Sequence, residues 1–291
     1  VNRTVLPTAL APAAWGTTYL VTSQWLPPDR PLLSGVLRAL PAGLIALALA
    51  RRLPQGVWWW RSLVLGTLNI GAFFVLLFVA AYRLPGGLAA TLGAAQPLLA
   101  ALFAMPVLGD RPTRRRLGWA VAGVAGVALV VLRAQASPDP LGIAAGLAGT
   151  ASMALGTVLA KRWGRPAGVG ALAVTGWQLT AGGLLIVPLA LAVEGPPPAL
   201  DTPAVLGYAW LAIVGTLAAY LLWFRGIARL PVAAVSFLPL LSPLVAAIVG
   251  WAALGQGLTP VQVLGFALAL TSVAAAQFTP ARPEPALAKG I

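Results

Sequence analysis

Residues 84–102 read LPGGLAATLGAAQPLLAAL, and residues 230–248 read LPVAAVSFLPLLSPLVAAI. Each apolar run opens on Leu-Pro and carries a further proline twelve positions later, Pro97 in one and Pro243 in the other, 146 residues apart. A proline inside a helix removes a hydrogen bond and clashes with the preceding turn, at about 3 kcal/mol. The same fault at matching places points to an internal duplication, and to two helices whose continuity is interrupted for a purpose.

The solvent for these helices is lipid. Of 291 residues 59% are hydrophobic and 9% charged, with mean hydropathy +0.90; a soluble domain carries about 25% charge. With no cysteine, disulfides and thiolate metal sites are excluded, and with no histidine the commonest general base and metal ligand is missing. No cofactor and no metal site is expected. The net charge of +13 does not indicate nucleic acid, because the basic residues sit in short loops between apolar runs.

A membrane helix needs about 20 mainly apolar residues. Splitting the chain at charges and Pro/Gly clusters gives ten segments: 5–26, 32–50, 62–82, 87–107, 117–133, 141–160, 168–193, 204–224, 231–252 and 260–278. The first is long for a signal-peptide core and is read as a retained helix. An even count puts both termini on one side. With the N terminus inside, 15 of the 19 Lys and Arg residues fall in inside segments, while the outside loops hold Arg30, Arg83 and Arg133 with four acids, Asp29, Asp139, Glu194 and Asp201. That asymmetry predicts both ends in the cytoplasm and a multi-pass protein of the inner (plasma) membrane, with the lipid bilayer as its surroundings. Trp58, Trp59 and Trp60 beside Arg61 read as an interfacial anchor.

The duplication extends along both halves. Trp15-Gly16-Thr17 aligns with Leu155-Gly156-Thr157, Arg38 with Gln178, Gly66-Thr67 with Gly215-Thr216, and Gln96-Pro97 with Ser242-Pro243. The expected fold is an all-α membrane protein of ten transmembrane helices, built as two inverted five-helix repeats over residues 1–136 and 137–291. Each repeat has an odd number of helices, so the second enters the membrane upside down. Such builds recur in secondary transporters, with substrate near mid-membrane at the repeat interface. Pro97 and Pro243, with Pro239, Gly86 and Gly87, are the expected hinge residues.

Polar groups within spans are costly and mark function. Arg38 is the ionisable Lys, Arg, Asp, Glu or His side chain lying well inside a span. Its planar fork suits a substrate carboxylate; the alternative is a structural arginine held by backbone carbonyls or by Gln178. Trp15, Tyr19, Asn69, Phe73, Gln96, Trp177, Gln178, Tyr220, Trp223 and Ser242 complete the candidate substrate-binding set. Aromatic walls with a few neutral hydrogen-bonding groups suit a small amphiphile such as an apolar amino acid. No carboxylate lies in any span, so no proton carrier is evident and uncoupled transport is the simpler reading. An enzyme acting on lipids needs acids, bases or metal ligands that this chain does not offer, and an open channel is the other rival.

These features resemble the drug/metabolite transporter superfamily, and within it the EamA-type permeases: the two five-helix repeats, Trp15-Gly16, Arg38 and the run LAATLGAAQPLLAALFAMPVLGDRPT at residues 88–113. The family usually places glutamate after the Leu-Gly that ends helix four; this chain has Asp110 there and Gln256 in the second repeat. The resemblance implies export of amino acids or other small metabolites, as by the YddG-type exporters of aromatic and related amino acids. Alternatives are another small neutral metabolite or a sugar. The absence of a membrane glutamate, on which the related small multidrug exporters rely, argues against cationic drugs. The partner expected is a small-molecule substrate, and a monomer is the expectation.

Overall fold

A computed structural model describes residues 3–84, 92–131, 139–254 and 259–278, and these are helical and irregular without strand. Helix occupies most of the described part of each predicted segment. The helices are α1 (Val5–Gly16), α2 (Thr18–Trp25), α3 (Pro31–Ala50), α4 (Trp58–Arg83), α5 (Gln96–Leu108), α6 (Arg114–Val131), α7 (Pro140–Trp163), α8 (Ala171–Val193), α9 (Thr202–Arg229), α10 (Val232–Phe237), α11 (Leu241–Leu254) and α12 (Pro260–Phe278). Among them α3, α4, α7, α8 and α9 are long and apolar enough to cross a membrane by themselves. The outward side chains are apolar too: Leu44, Leu49, Leu184, Leu191, Leu206 and Leu264 are all more than half exposed, which is what a lipid-facing surface requires.

The helix boundaries follow from short-range chemistry. Asp139 caps α7, its carboxylate accepting from Leu141 N at 2.8 Å and Gly142 N at 3.2 Å, with Pro140 in the first turn. Arg83 pairs with the same carboxylate at 2.8 Å. That pairing and the cap amides hold the Asp139 carboxyl below its ordinary value, so its contribution is present at neutral pH and is lost as the pH falls through the lowered value. Asp201 caps α9 through Ala204 N at 2.9 Å. Gly109, at φ 70°, and Gly164, at φ 62°, end α5 and α7 in the left-handed region.

Small residues let the helices meet. At the α3–α8 crossing, a Cβ on Gly43 would stand 2.6 Å from Thr180 N, and one on Gly183 3.0 Å from Leu40 Cα, so the two backbones touch in the manner of membrane helix pairs. α6 and α12 form a second tight pair. The remaining contacts come in corresponding sets. α4 packs on α7 as α9 packs on α1, and α5 packs on α7 as α11 packs on α1.

The loops separate onto two ends of the bundle. At one end Arg83 meets Asp139, Leu32 and Leu33 donate to Glu194, and Arg30 donates to the Glu194 carbonyl. At the other, Arg52 donates to Gly168 O at 2.8 Å, Lys161 to Leu230 O at 3.1 Å, and Arg162 to Val107 O. These are the groups the charge pattern assigned to outside and inside, respectively.

Two expectations are corrected. Trp59 and Trp60 are 58% and 49% exposed, as an interfacial anchor requires, but Trp58 is buried. Its ring lies 6.2 Å from that of Trp177, and the Arg61 guanidinium sits 5.4 Å above it, because burying one indole closes the gap between α4 and α8. The prolines do not kink continuous helices. Residues 94–95 form a turn and Pro97 is the second residue of α5; a 3₁₀ turn at Leu238–Leu240 contains Pro239, and Pro243 is the third residue of α11. First-turn prolines give up no helical hydrogen bond; the first segment is interrupted by a turn and the second passes through a 3₁₀ turn. Gly86 and Gly87 lie outside the described residues.

Candidate functional site

Two π-turns lie at corresponding places, Thr67–Gly71 within α4 and Ile213–Ala218 within α9. A π-turn shifts the hydrogen-bond ladder by one residue and frees backbone groups, and is frequent at functional sites. Each is met by donors from the opposite half of the chain. Trp15 Nε1 donates to Gly215 O at 3.0 Å, and Arg38 donates through Nη2 to the same carbonyl at 3.1 Å and through Nε to Thr216 Oγ1 at 2.9 Å. Ser152 Oγ donates to Leu68 O at 2.7 Å, Tyr220 Oη to Asn69 O at 3.3 Å, and Asn69 Nδ2 to Gln178 Oε1 at 2.9 Å. Aligned Arg38 and Gln178 thus each engage the π-turn of the other half.

Aromatic rings pack around this polar layer. Tyr220 lies 5.2 Å from Trp15, 5.9 Å from Phe74 and 5.6 Å from Phe224, and Trp223 lies 5.2 Å from Trp15. The Arg38 guanidinium carbon sits 4.6 Å above Phe74, and Nη1 reaches Thr18 Oγ1 at 3.4 Å. Arg38 is 1% exposed. Its charge is held by a hydroxyl pair, a carbonyl and a ring face, with Gln178 engaged elsewhere.

The structure therefore brings together Trp15, Arg38, Asn69, Gln178, Tyr220 and Trp223. Phe73 stands beside Phe74 at 5.8 Å, half-buried. Tyr19 packs toward the Ala80, Leu84 and Ala145 cluster. Gln96 is buried at the start of α5, and Ser242 lies half-buried in α11 with its carbonyl against Gly16. Trp177 lies apart: its indole donates to Arg52 O at 2.7 Å. Phe74 and Ser152 were missed, because neither residue type in an apolar helix carries a signal of its own. Gln96 Nε2, Asn69 Oδ1 and Trp223 Nε1 are buried without a hydrogen-bond partner.

A cavity of about 680 Å³ enters from the end that carries loop 164–170. Lys161, Arg165, Val174, Gln178, Phe224 and Ile227 line it, so Gln178 and Phe224 connect it to the polar layer. At the other end Tyr82 Oη donates to Pro27 O at 2.9 Å, the Ser34 and Tyr208 hydroxyls pair at 3.2 Å, and Glu194 accepts from the first amides of α3 at 2.6 and 2.9 Å.

The chain is similar over most of its length to proteins of which several are named as transporters. It is 48% identical over 255 residues to protein PecM of Dickeya dadantii, covering 88% of this chain and 86% of that one. It is 28% identical over 284 residues to the uncharacterized inner membrane transporter YedA of Escherichia coli K12, covering 92% and 90%. A solved crystal structure superimposes with TM-score 0.78 at 23% identity, over 94% of this chain and 96% of that one, and so shares the fold. The model of the EamA-like transporter family matches twice, over residues 3–132 and 140–276. A chain matched by one family model in each half, with aligned helices making corresponding contacts, belongs to the EamA-like transporter family.

Proposed function

We propose that this membrane transporter exports small metabolites, amino acids with aromatic or other apolar side chains, by alternating access across ten transmembrane helices. The two halves, residues 1–136 and 137–291, act as inverted five-helix repeats that rock about the polar layer, with both termini in the cytoplasm of the inner membrane and the chain working as a monomer. The observation that carries this reading is the one-ended cavity. It reaches Gln178 and Phe224 of the layer joining the halves, while hydrogen bonds link the loops at the opposite end. Its volume of about 680 Å³ falls within the range of small-molecule sites, roughly 300–1,000 Å³.

The test is exchange of labelled phenylalanine, tryptophan or leucine in proteoliposomes, with the proton gradient collapsed. Exchange should persist, because no carboxylate lies within a span to carry the proton. Exchange lost on collapse would reveal a proton site, and no exchange of any amino acid would end the substrate reading. For the orientation, a reporter fused after Ile291 that works only outside the cytoplasm should stay silent; strong activity would reverse it.

The helix breaks before Pro97 and Pro243 are the proposed hinges. Alanine at either position permits helix to propagate through the break, and a bias of about 1.4 kcal/mol between inward- and outward-open states changes their ratio tenfold. We expect Pro97→Ala and Pro243→Ala to reach the membrane folded and to transport several-fold more slowly per folded molecule. Wild-type turnover in both would show the breaks to be passive.

A further inference from the structure

The charge inside the cavity is one-sided. Among the described residues, the ionisable ones that line it are Lys161 and Arg165, and none is an acid. Arg165 is exposed, whereas Lys161 is half-buried in the last turn of α7. Lys161 Nζ donates to Leu230 O at 3.1 Å. That bond uses one of the ammonium's three donors and anchors the head group at the cavity wall. The same lining includes the apolar side chains of Leu65, Val174, Phe224 and Ile227. Arg38 has three donor bonds satisfied and its face on Phe74, and it does not line this cavity. In the state seen here, the cation anchored at the cavity wall is therefore Lys161, with the exposed Arg165 as the second cation of the lining.

We propose that this cavity is an anion-admitting chamber in which Lys161 receives the carboxylate of the solute while Phe224 and Ile227 hold its apolar body. The substrate class is then a monocarboxylate with an apolar or aromatic side, zwitterions included. Low-dielectric walls lined by charge of one sign focus the field and raise the local concentration of counter-charged solute tenfold or more. The proposal rests on the transporter reading, but its first test does not require that the substrate be known.

Because the chain has no cysteine, a single thiol reports the cavity without background. Ala228 is exposed and lines it. In Ala228→Cys, a sulfonate-bearing methanethiosulfonate should react faster than its trimethylammonium counterpart by about tenfold over the ratio for a free thiol. Lys161→Gln should remove most of that excess and Lys161→Arg should keep it. Gly170→Cys serves as a second reporter if the first does not fold. A ratio equal to that of the free thiol overturns the chamber, and an excess untouched by Lys161→Gln overturns the role of Lys161.

The second arm measures exchange of an amino acid against its carboxamide. Lys161→Gln should raise KM for the carboxylate about tenfold with kcat unchanged, should not raise KM for the cationic carboxamide, and should be rescued by arginine. Equal effects on both solutes would make Lys161 structural. Anion preference without amino-acid exchange would refute the substrate reading and leave the chamber standing; exchange without anion preference would do the reverse.

Discussion

Replacing Gly156 with alanine should destabilise the protein by about 2–4 kcal/mol, against the direction of helix propensity. In an exposed helix Gly→Ala gains about 1 kcal/mol. Here a Cβ would stand 2.6 Å from Asn69 Cγ, closer to its Oδ1, and 3.1 Å from its Nδ2. Asn69 is fully buried in the α4 π-turn and holds Gln178, so its amide must move away from Gln178 to make room. Overpacking costs about 1–3 kcal/mol, and leaving a buried polar group without its partner costs about 1–3 kcal/mol more. Gly118, in α6, has nothing within 4 Å of the position its Cβ would take, so Gly118→Ala should be neutral or slightly stabilising. The measurement is the melting temperature in detergent, together with that of Gly156→Ala/Asn69→Ala, which removes the obstructing amide and should recover part of the loss. A Gly156→Ala protein as stable as Gly118→Ala would mean that α4 and α7 yield at no cost.

Gly156 also shows what the sequence makes legible. Aligned Gly16 and Gly156 were visible as a matched pair, and each proves to be a point where another helix passes too closely for a side chain. Gly16 meets Ser242 O at 2.6 Å from where its Cβ would be. Segment positions, and which loops share an end of the bundle, were legible because hydropathy and charge answer directly to the bilayer. The π-turns were not. Gly66-Thr67 and Gly215-Thr216 marked the places, but an i→i+5 register has no residue signature; it emerges when donors from another helix replace the lost ladder bonds. Adjacent Trp177 and Gln178 illustrate the same limit. About 100° of helix rotation separates them, which sends one ring to Trp58 and the neighbouring amide to Asn69. Lys161 was read only as a topological charge, because its place on a cavity wall depends on the path of α9.

Arg38→Lys should cost more than its conserved charge suggests. The guanidinium makes three hydrogen bonds to two different helices, through Nε to Thr216, Nη2 to Gly215 O and Nη1 to Thr18, while its face lies on Phe74. A lysine ammonium is a compact point charge without that fork. Interhelical hydrogen bonds in membrane proteins average about 0.6 kcal/mol and reach about 1.7, and a desolvated cation–π contact adds about 2. Losing most of this set amounts to about 3 kcal/mol, or about 10 °C in melting temperature at 2–4 °C per kcal/mol. Arg38→Ala should lose at least as much, because the freed Gly215 carbonyl then keeps only Trp15. Thr216→Val should show a smaller loss that is not additive with Arg38→Lys, since both remove the same bond. The competing reading, Arg38 as the partner of a substrate carboxylate, makes a different demand: melting temperatures would stay near wild type while binding disappears. Stable Arg38 variants with no substrate affinity would therefore move Arg38 from the clamp between the halves to the substrate itself. Unstable variants whose folded fraction still exchanges substrate would fix it as the clamp.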